Sequence, residues 1–288
     1  MRDLNYELKR LGERNRDGSH ATQANRARIL SLIANQLYDL GYTKLHATEL
    51  KGRHVNAMVT EWQRQDLAPG TVKNRMAALR WWAEKVGRAW VLARDNAHYG
   101  IPDRQYVTNV SKAQRLSQVD LSRVGDPYVR MSLELQRAFG LRREEALKLR
   151  SREADGGDRL VLKGSWTKGG KAREIRIHTA AQREVLDRAQ QLAGRGSLIP
   201  AERSYVQHLK VYERHTANAG LHKLHGLRHA YAQQRYQELT GWVAPAAGGP
   251  TRKALTLSQQ ALDREVRLRI SQEMGHEREQ ITAVYLGR

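Results

Sequence analysis

The sequence predicts a mainly α-helical chain in two domains, the second of them α+β with a small antiparallel sheet. Apolar residues recur at three- and four-residue steps through most of the 288 residues. The period drops to two in one region only, near residues 159–178. Helical regularity also lapses around Gly100-Ile101-Pro102, which separates a first helical block from the remainder. The expected organisation is a helical domain over 1–100, a linker over 101–111 and a second domain over 112–288, within the range that the length allows.

In the first block, Leu4, Leu8 and Leu11 share one side of a helix over 1–15, which the polar run Asn15-Arg16-Asp17-Gly18-Ser19 ends. A second helix runs from about Thr22 to Leu40, with Leu30, Ile33, Ala34 and Leu37 at helical spacing and Gly41 as its stop. A third is expected near 47–65. The turn Leu67-Ala68-Pro69-Gly70-Thr71 then leads into a helix carrying Val72, Met76, Leu79 and Trp82. Trp81, Trp82 and Trp90 are expected to fill core volume, the ordinary role of large aromatics.

Beyond the linker, helices are expected at about 117–123, 127–139 and 144–149. The period of two follows in Arg159-Leu160-Val161-Leu162-Lys163 and Glu174-Ile175-Arg176-Ile177-His178, which predict a hairpin with Lys168-Gly169-Gly170-Lys171 at its tip. Helical spacing returns over 180–193, 203–219 and 226–239. The Gly/Pro-rich stretch 241–250 is expected to be a flexible loop, and helices over 258–273 and 277–286 close the chain.

Charge gives the first functional indication. Lys and Arg number 50 against 30 Asp and Glu, a formal charge of +20, and the isoelectric point is about 10.5. The excess is +7 up to Val110 and +13 beyond it, so both blocks are basic. Self-repulsion on this scale disfavours a compact state unless a polyanion is near, and nucleic acid is the expected partner. An anionic membrane surface fits less well, because basic amphipathic membrane helices carry Trp, Phe and Leu opposite their cations and this chain has one Phe. The mean hydropathy of −0.71, the lack of any apolar run near the ~18 residues of a membrane span and the absence of an apolar N-terminal stretch lead to the expectation of a non-membrane, cytoplasmic protein. With no Cys, thiolate zinc sites and cysteine nucleophiles are excluded.

Four groups of residues stand in an informative order. They are Gly140-Leu141-Arg142-Arg143-Glu144-Glu145, then Lys168 with Gly170-Lys171-Ala172-Arg173-Glu174-Ile175, then His225-Gly226-Leu227-Arg228-His229, and finally Gly275-His276 with Tyr285 nine residues later. Each alone is a weak signal. Together and in this order, over about 145 residues, the chain resembles the tyrosine recombinase (phage integrase) family, whose catalytic fold is shared with type IB topoisomerases. The stretch Leu67–Val72 leading to Ala78-Leu79-Arg80-Trp81-Trp82 resembles that family's helical (SAM-like) core-binding domain, and residues 1–30 resemble integrases of integrative mobile elements.

The resemblance implies a two-domain C-shaped clamp on duplex DNA, and four protomers acting on two recombination sites. It also implies an accessory directionality factor and a bacterial, nucleoid-associated setting. It makes Tyr285 the nucleophile that forms a 3′-phosphotyrosine bond, storing the energy of the broken ester so that rejoining needs no ATP. Arg142 and Arg228 would hold the non-bridging oxygens with planar guanidinium donors, so that no metal or other cofactor is needed. Lys168 would protonate the leaving 5′-oxygen, with Lys171 the fallback. His225 would bond the phosphate or help deprotonate the tyrosine, His276 would bond the phosphate, and Glu145 would support Arg142. Tyr231 and Tyr236 are rival nucleophiles by proximity but lack the spacing from Gly275-His276.

Against these roles stand ordinary ones: a surface arginine at 142, a solvated hairpin tip at 168–171, core or surface histidines at 222, 225 and 229, a packing tyrosine at 285. A zinc site at His225 and His229 lacks a third ligand motif. The interval from Arg228 to Gly275 is longer than the family pattern, Phe139 and Arg176 depart from it, and three residues follow Tyr285. Subunit contacts then come from another segment, with 237–262 a candidate, or from a longer native chain. Little length is left for a separate arm-site domain. The expected function is site-specific recombination that integrates or excises a mobile element. The alternatives are topoisomerase-like relaxation of DNA and a catalytically silent DNA-binding protein.

Overall fold

A computed structural model describes residues 2–276 and 278–288. The chain divides into two compact units, one ending at Gln105 and one beginning at Tyr106.

The first unit is helical. Its helices are α1 (Asp3–Arg14), α2 (His20–Asp39), α3 (Gly52–Arg64) and α4 (Pro69–Lys85). Ser19 caps α2 by accepting the amide of Thr22, and Pro69 occupies the first turn of α4, where its missing N–H costs nothing. The apolar faces converge on a core of Leu30, Ile33, Leu37, Met58, Met76 and Leu79, with the buried Trp62 and Trp82 filling its centre. The Trp82 indole donates to the Ala47 carbonyl at 2.8 Å, while the Ala47 amide donates to Glu7 at 2.6 Å. Because tertiary partners take this backbone, the helix expected over 47–65 is split. A 3-10 turn at Ala47–Glu49 precedes α3. Trp90 corrects the sequence expectation outright. It lies in a 3-10 turn at Ala89–Val91 and is 77% exposed, so it fills no core.

The second unit begins with α5 (Gln118–Ser122), α6 (Pro127–Phe139), α7 (Arg143–Lys148) and α8 (Ser151–Ala154), the last a single turn that the sequence reading missed. Strands β1 (Arg159–Leu162) and β2 (Arg173–Arg176) pair antiparallel with Arg159 opposite Arg176 and Leu162 opposite Arg173. Then come α9 (Ala180–Ala193), α10 (Tyr205–Asn218), α11 (Gly226–Thr240), α12 (Leu257–Glu273) and α13 (Glu279–Leu286). Thr179, Ser204 and Thr256 each open one of these helices, with a Gln three residues on that completes the cap. Of the final helix expected over 277–286, position 277 lies outside the described residues.

Three apolar clusters stabilise this unit. The one formed by Ala232, Tyr236, Val266, Ile270, Met274, Tyr285 and Leu286 packs α11, α12 and α13 together. The stretch 241–250 is not the flexible loop expected of its composition. Ala244, Pro245 and Ala246 are buried, and a 3-10 turn at Pro245–Ala247 packs beside α13. Pro and Gly here shape a tight packed turn, where composition alone suggests freedom. Among the described residues no helix is long and apolar enough to cross a membrane.

Candidate active site

The first group of residues is a helix junction. Gly140 ends α6 in the left-handed region (φ 60°), and a Cβ at this position would lie 2.4 Å from the Tyr231 ring, so glycine is required twice over. Leu141 is buried, and Arg142 stands at the N-cap of α7. Glu145, at the third position of α7, reaches back to accept the Arg142 amide at 2.7 Å and its Nη1 at 2.7 Å. The three-residue step from Arg142 to Glu145 is thus the step of a capping box. It turns the arginine off the end of the helix, with its side chain 22% exposed.

The second group lies on α11. His225 is its N-cap and Arg228 sits in the first turn. Arg228 is 1% exposed, yet each nitrogen has a partner. Nη1 donates to the Gly140 carbonyl, Nη2 to the Met274 carbonyl, and Nε to the Tyr285 hydroxyl at 3.3 Å. Burial first, and then Arg142, lower its pKa to about 10, opposed by Tyr285, so the guanidinium stays charged at neutral pH. Joining α6, α12 and α13 through one cation explains why this residue must be arginine, since lysine has no planar fork of donors.

Tyr285, on α13, is enclosed by histidines. His225 Nε2 lies 3.5 Å from its hydroxyl. The ring of His229 is 4.6 Å away, and that of His276 stacks at 5.8 Å with 20° between the planes. From behind, Gln233 Nε2 donates to the Tyr285 carbonyl at 3.0 Å, and Ser111 donates to the Gln233 Oε1 at 3.0 Å.

His276 has a defined protonation. Its Nε2 lies 3.0 Å from Arg142 Nη2 and 3.4 Å from Arg228 Nη2, and guanidinium groups can only donate. Nε2 therefore accepts, which assigns the proton to Nδ1, an atom with no partner among the described residues. Burial first, then Arg228, Arg142 and Arg173, push the pKa to about 3, with Glu145 opposing. His229 is lowered to about 4 by burial and its His225 neighbour, and His225 is lowered by burial and the two arginines. The three rings are neutral at pH 7.

Five of the six residues singled out in the sequence therefore meet: Arg142, His225, Arg228, His276 and Tyr285. Lys168 does not join them, lying exposed in the turn between β1 and β2. The rival tyrosines are held elsewhere. Tyr231 donates to Glu273 at 3.0 Å and Tyr236 to Asp263 at 2.5 Å. Burial and these carboxylates raise both phenols, Tyr236 to about 12. Among the described residues no group of three or more His, Asp or Glu side chains is placed to hold a metal ion.

Sequence reasoning left Arg173 without a role, although its side chain is 7% exposed and grips Glu145 with two bonds. A signal was present. Arg173 and Ile175 share one face of β2, and Ile175 is fully buried, so an arginine on that inward face needs a buried partner.

Comparison with known proteins agrees with this architecture. Residues 1–92 match the family model "Phage integrase, N-terminal" and residues 93–234 match the model "Integrase". No curated protein matches the chain by sequence. Among solved structures, the chain is similar to a lambda integrase dimer bound to a COC′ core site, with a TM-score of 0.65 at 15% identity over 99% of this chain and 78% of that one. It is also similar to the Tn1549 transposon integrase in complex with transposon right end DNA (0.57, 13%, 100% of this chain and 95% of that one). A third is the XerH site-specific recombinase bound to its difH substrate (0.57, 15%, 98% and 80%). At these identities the structural likeness establishes the fold alone.

Proposed function

The chain belongs to the tyrosine recombinase (phage integrase) family of site-specific recombinases, and from that premise we propose that it cuts and rejoins duplex DNA through a 3′-phosphotyrosine bond at Tyr285. One observation carries the proposal. A buried guanidinium that is charged at neutral pH, that of Arg228, lies 3.3 Å from the Tyr285 hydroxyl, with a neutral imidazole, that of His225, 3.5 Å away on the same oxygen.

The phenol would give its proton to His225 Nε2 while Arg228 Nε stabilises the charge that develops on the oxygen. Attack on phosphorus forms the O–P bond to Tyr285 and breaks the bond to the 5′-oxygen, which takes a proton from Lys168 and leaves as a hydroxyl. Arg142, held at its N-cap by Glu145, would donate to a non-bridging oxygen, and His276, beside both guanidinium groups, would bond the phosphate. Rejoining is the reverse, with the 5′-hydroxyl of a partner strand as attacking group. Arg142 at the phosphate and Arg228 at the tyrosine oxygen would supply the charge that a metal would otherwise bring, and the covalent bond conserves the energy of the ester. The reaction then needs neither metal nor ATP. For Lys168 to take part, the hairpin turn must bring it to the phosphate when DNA is bound.

The likeness to the lambda and Tn1549 integrases supports a role in moving a mobile element. A lambda integrase tetramer bound to a Holliday junction is also among the similar structures (TM-score 0.63, 15% identity), which supports four protomers exchanging strands on two sites. A directionality factor that biases excision completes the proposal.

The test uses sheared DNA that spans the gene of this chain and its flanks. After incubation with the protein and denaturation in detergent, covalent protein–DNA adducts are expected, and sequencing their DNA gives the cleavage site. Absence of adducts from all such DNA rejects the proposal. Relaxation of plasmids lacking the site, at the same rate as plasmids carrying it, would instead identify a topoisomerase.

A further inference from the structure

We propose that Arg173 is a positioning residue for strand cleavage, fixing Arg142 through Glu145 and the turn before His276 through the Glu273 carbonyl. The inference rests on the cleavage reaction proposed above and adds to it a residue that never touches DNA.

The Glu145 carboxylate is almost fully buried and takes four donors. Oε1 accepts Arg173 Nη1 at 2.9 Å and Arg142 Nη1 at 2.7 Å, while Oε2 accepts Arg173 Nη2 at 2.7 Å and the Arg142 amide at 2.7 Å. Burial alone would raise this carboxyl. The hydrogen bonds and charge of Arg173, followed by those of Arg142, outweigh it and hold the pKa near 2.

The charge balance has a consequence at the phosphate. One carboxylate between two guanidinium groups leaves a net positive charge, and Arg173 spends its donors on Glu145 and the Glu273 carbonyl. With Arg173 present, Arg142 keeps its charge for the developing phosphorane. Without it, a buried anion faces Arg142 alone, neutralises it and draws both its Nη groups away from the phosphate.

The remaining nitrogen of Arg173 serves a different element. Nε donates to the Glu273 carbonyl at 3.1 Å, three residues before His276. The side chain passes so close beneath the turn that a Cβ at position 275 would lie 2.9 Å from its Cδ and 3.0 Å from its Nη1. The glycine before His276 is therefore where Arg173 crosses. The residue starts β2, at the base of the turn that carries Lys168. A single guanidinium thus joins the catalytic hairpin, the N-cap of α7 and the end of α12, and its rigid fork is what lysine lacks.

The experiment measures single-turnover cleavage of a nicked duplex, built on the site recovered from the adducts, at saturating DNA. Arg173→Met is expected to cleave roughly 10- to 100-fold more slowly than the unsubstituted protein, with DNA affinity within about threefold. Arg173→Lys is expected to recover only part of this loss. Combining Arg173→Met with Glu145→Gln is expected to be no slower than the slower single variant, because both act through one network. A substrate with a 5′-bridging sulfur, whose thiolate leaves without a proton, is expected to leave the defect unchanged.

Cleavage by Arg173→Met within about twofold of the unsubstituted protein, or losses that multiply in the double variant, would overturn the inference. Restoration by the bridging sulfur would do the same, since it would put the effect on Lys168. If Arg173→Met does not fold, Arg173→Lys decides, and an undiminished rate in it rejects the inference. Failure of the unsubstituted protein to cleave at all removes the parent reaction and this inference with it, whereas a defect-free Arg173 variant removes only the inference.

Discussion

The guanidinium of Arg228 and the hydroxyl of Tyr285 meet at 3.3 Å, although 57 residues separate them in the chain. The other two nitrogens of that guanidinium are taken by the carbonyls of Gly140 and Met274, so the cation is fixed before any substrate arrives. A charge that need not reorganise during reaction is the arrangement from which electrostatic catalysis gains most.

Arg228→Lys is expected to slow adduct formation by at least about 100-fold, since an ammonium cannot satisfy two carbonyls and the phenol together. The DNA dissociation constant, measured alongside, is expected to change far less than the rate. A variant cleaving at close to the normal rate would remove Arg228 from the reacting centre.

The buried histidines make the second unit acid-sensitive. His276 and His229 titrate near 6.5 when unfolded but at about 3 and about 4 in the folded chain. Below pH 6.5 the unfolded state binds protons that the folded state refuses, so stability falls as pH drops from 6.5 towards 4 and is fully present above 6.5. Each residue is expected to cost roughly 1–2 kcal/mol between pH 7 and pH 5. His46, raised by Glu7 in the first unit, acts in the opposite sense, so the comparison is best made by difference. In urea titrations, His229→Gln is expected to lose less stability than the unsubstituted protein over this interval. Equal losses in the two would show that His229 is not held neutral.

DNA affinity is expected to fall steeply with salt, the slope of log K against log salt growing by about −0.9 for each phosphate contacted. Binding isotherms across a salt series measure this. A flat response would mean that the +20 charge serves something other than the DNA backbone.

How much of this was legible in the sequence differed with the kind of interaction. Helices with an apolar stripe and a cap, such as α6 between Asp126 and Gly140 or α9 behind Thr179, could be read from short-range pattern because short-range forces set their ends. Trp90 and the turn at 245–247 were misread because the fate of a Trp or Pro depends on neighbours that composition does not name. The convergence of Arg142, His225, Arg228, His276 and Tyr285 was visible only as an ordered set of motifs. The bonds that bring them together span up to 134 residues, from Arg142 to His276. The Arg173–Glu145 pair escaped notice because β2 reads as an exposed, charge-rich strand except at Ile175. Nor does the sequence reveal that Lys168 stands apart from the other five, because the turn that carries it is anchored at the buried Trp166 and then runs exposed from Lys168 to Ala172.

The central claim is that Tyr285 becomes bonded to DNA, and peptide mapping of the trapped adduct by mass spectrometry tests it most directly. The expected result is a nucleotide mass on the peptide that contains Tyr285, absent from Tyr285→Phe while that variant still binds the same duplex. A nucleotide on the peptide of Tyr231 or Tyr236, or an adduct that persists in Tyr285→Phe, would contradict it.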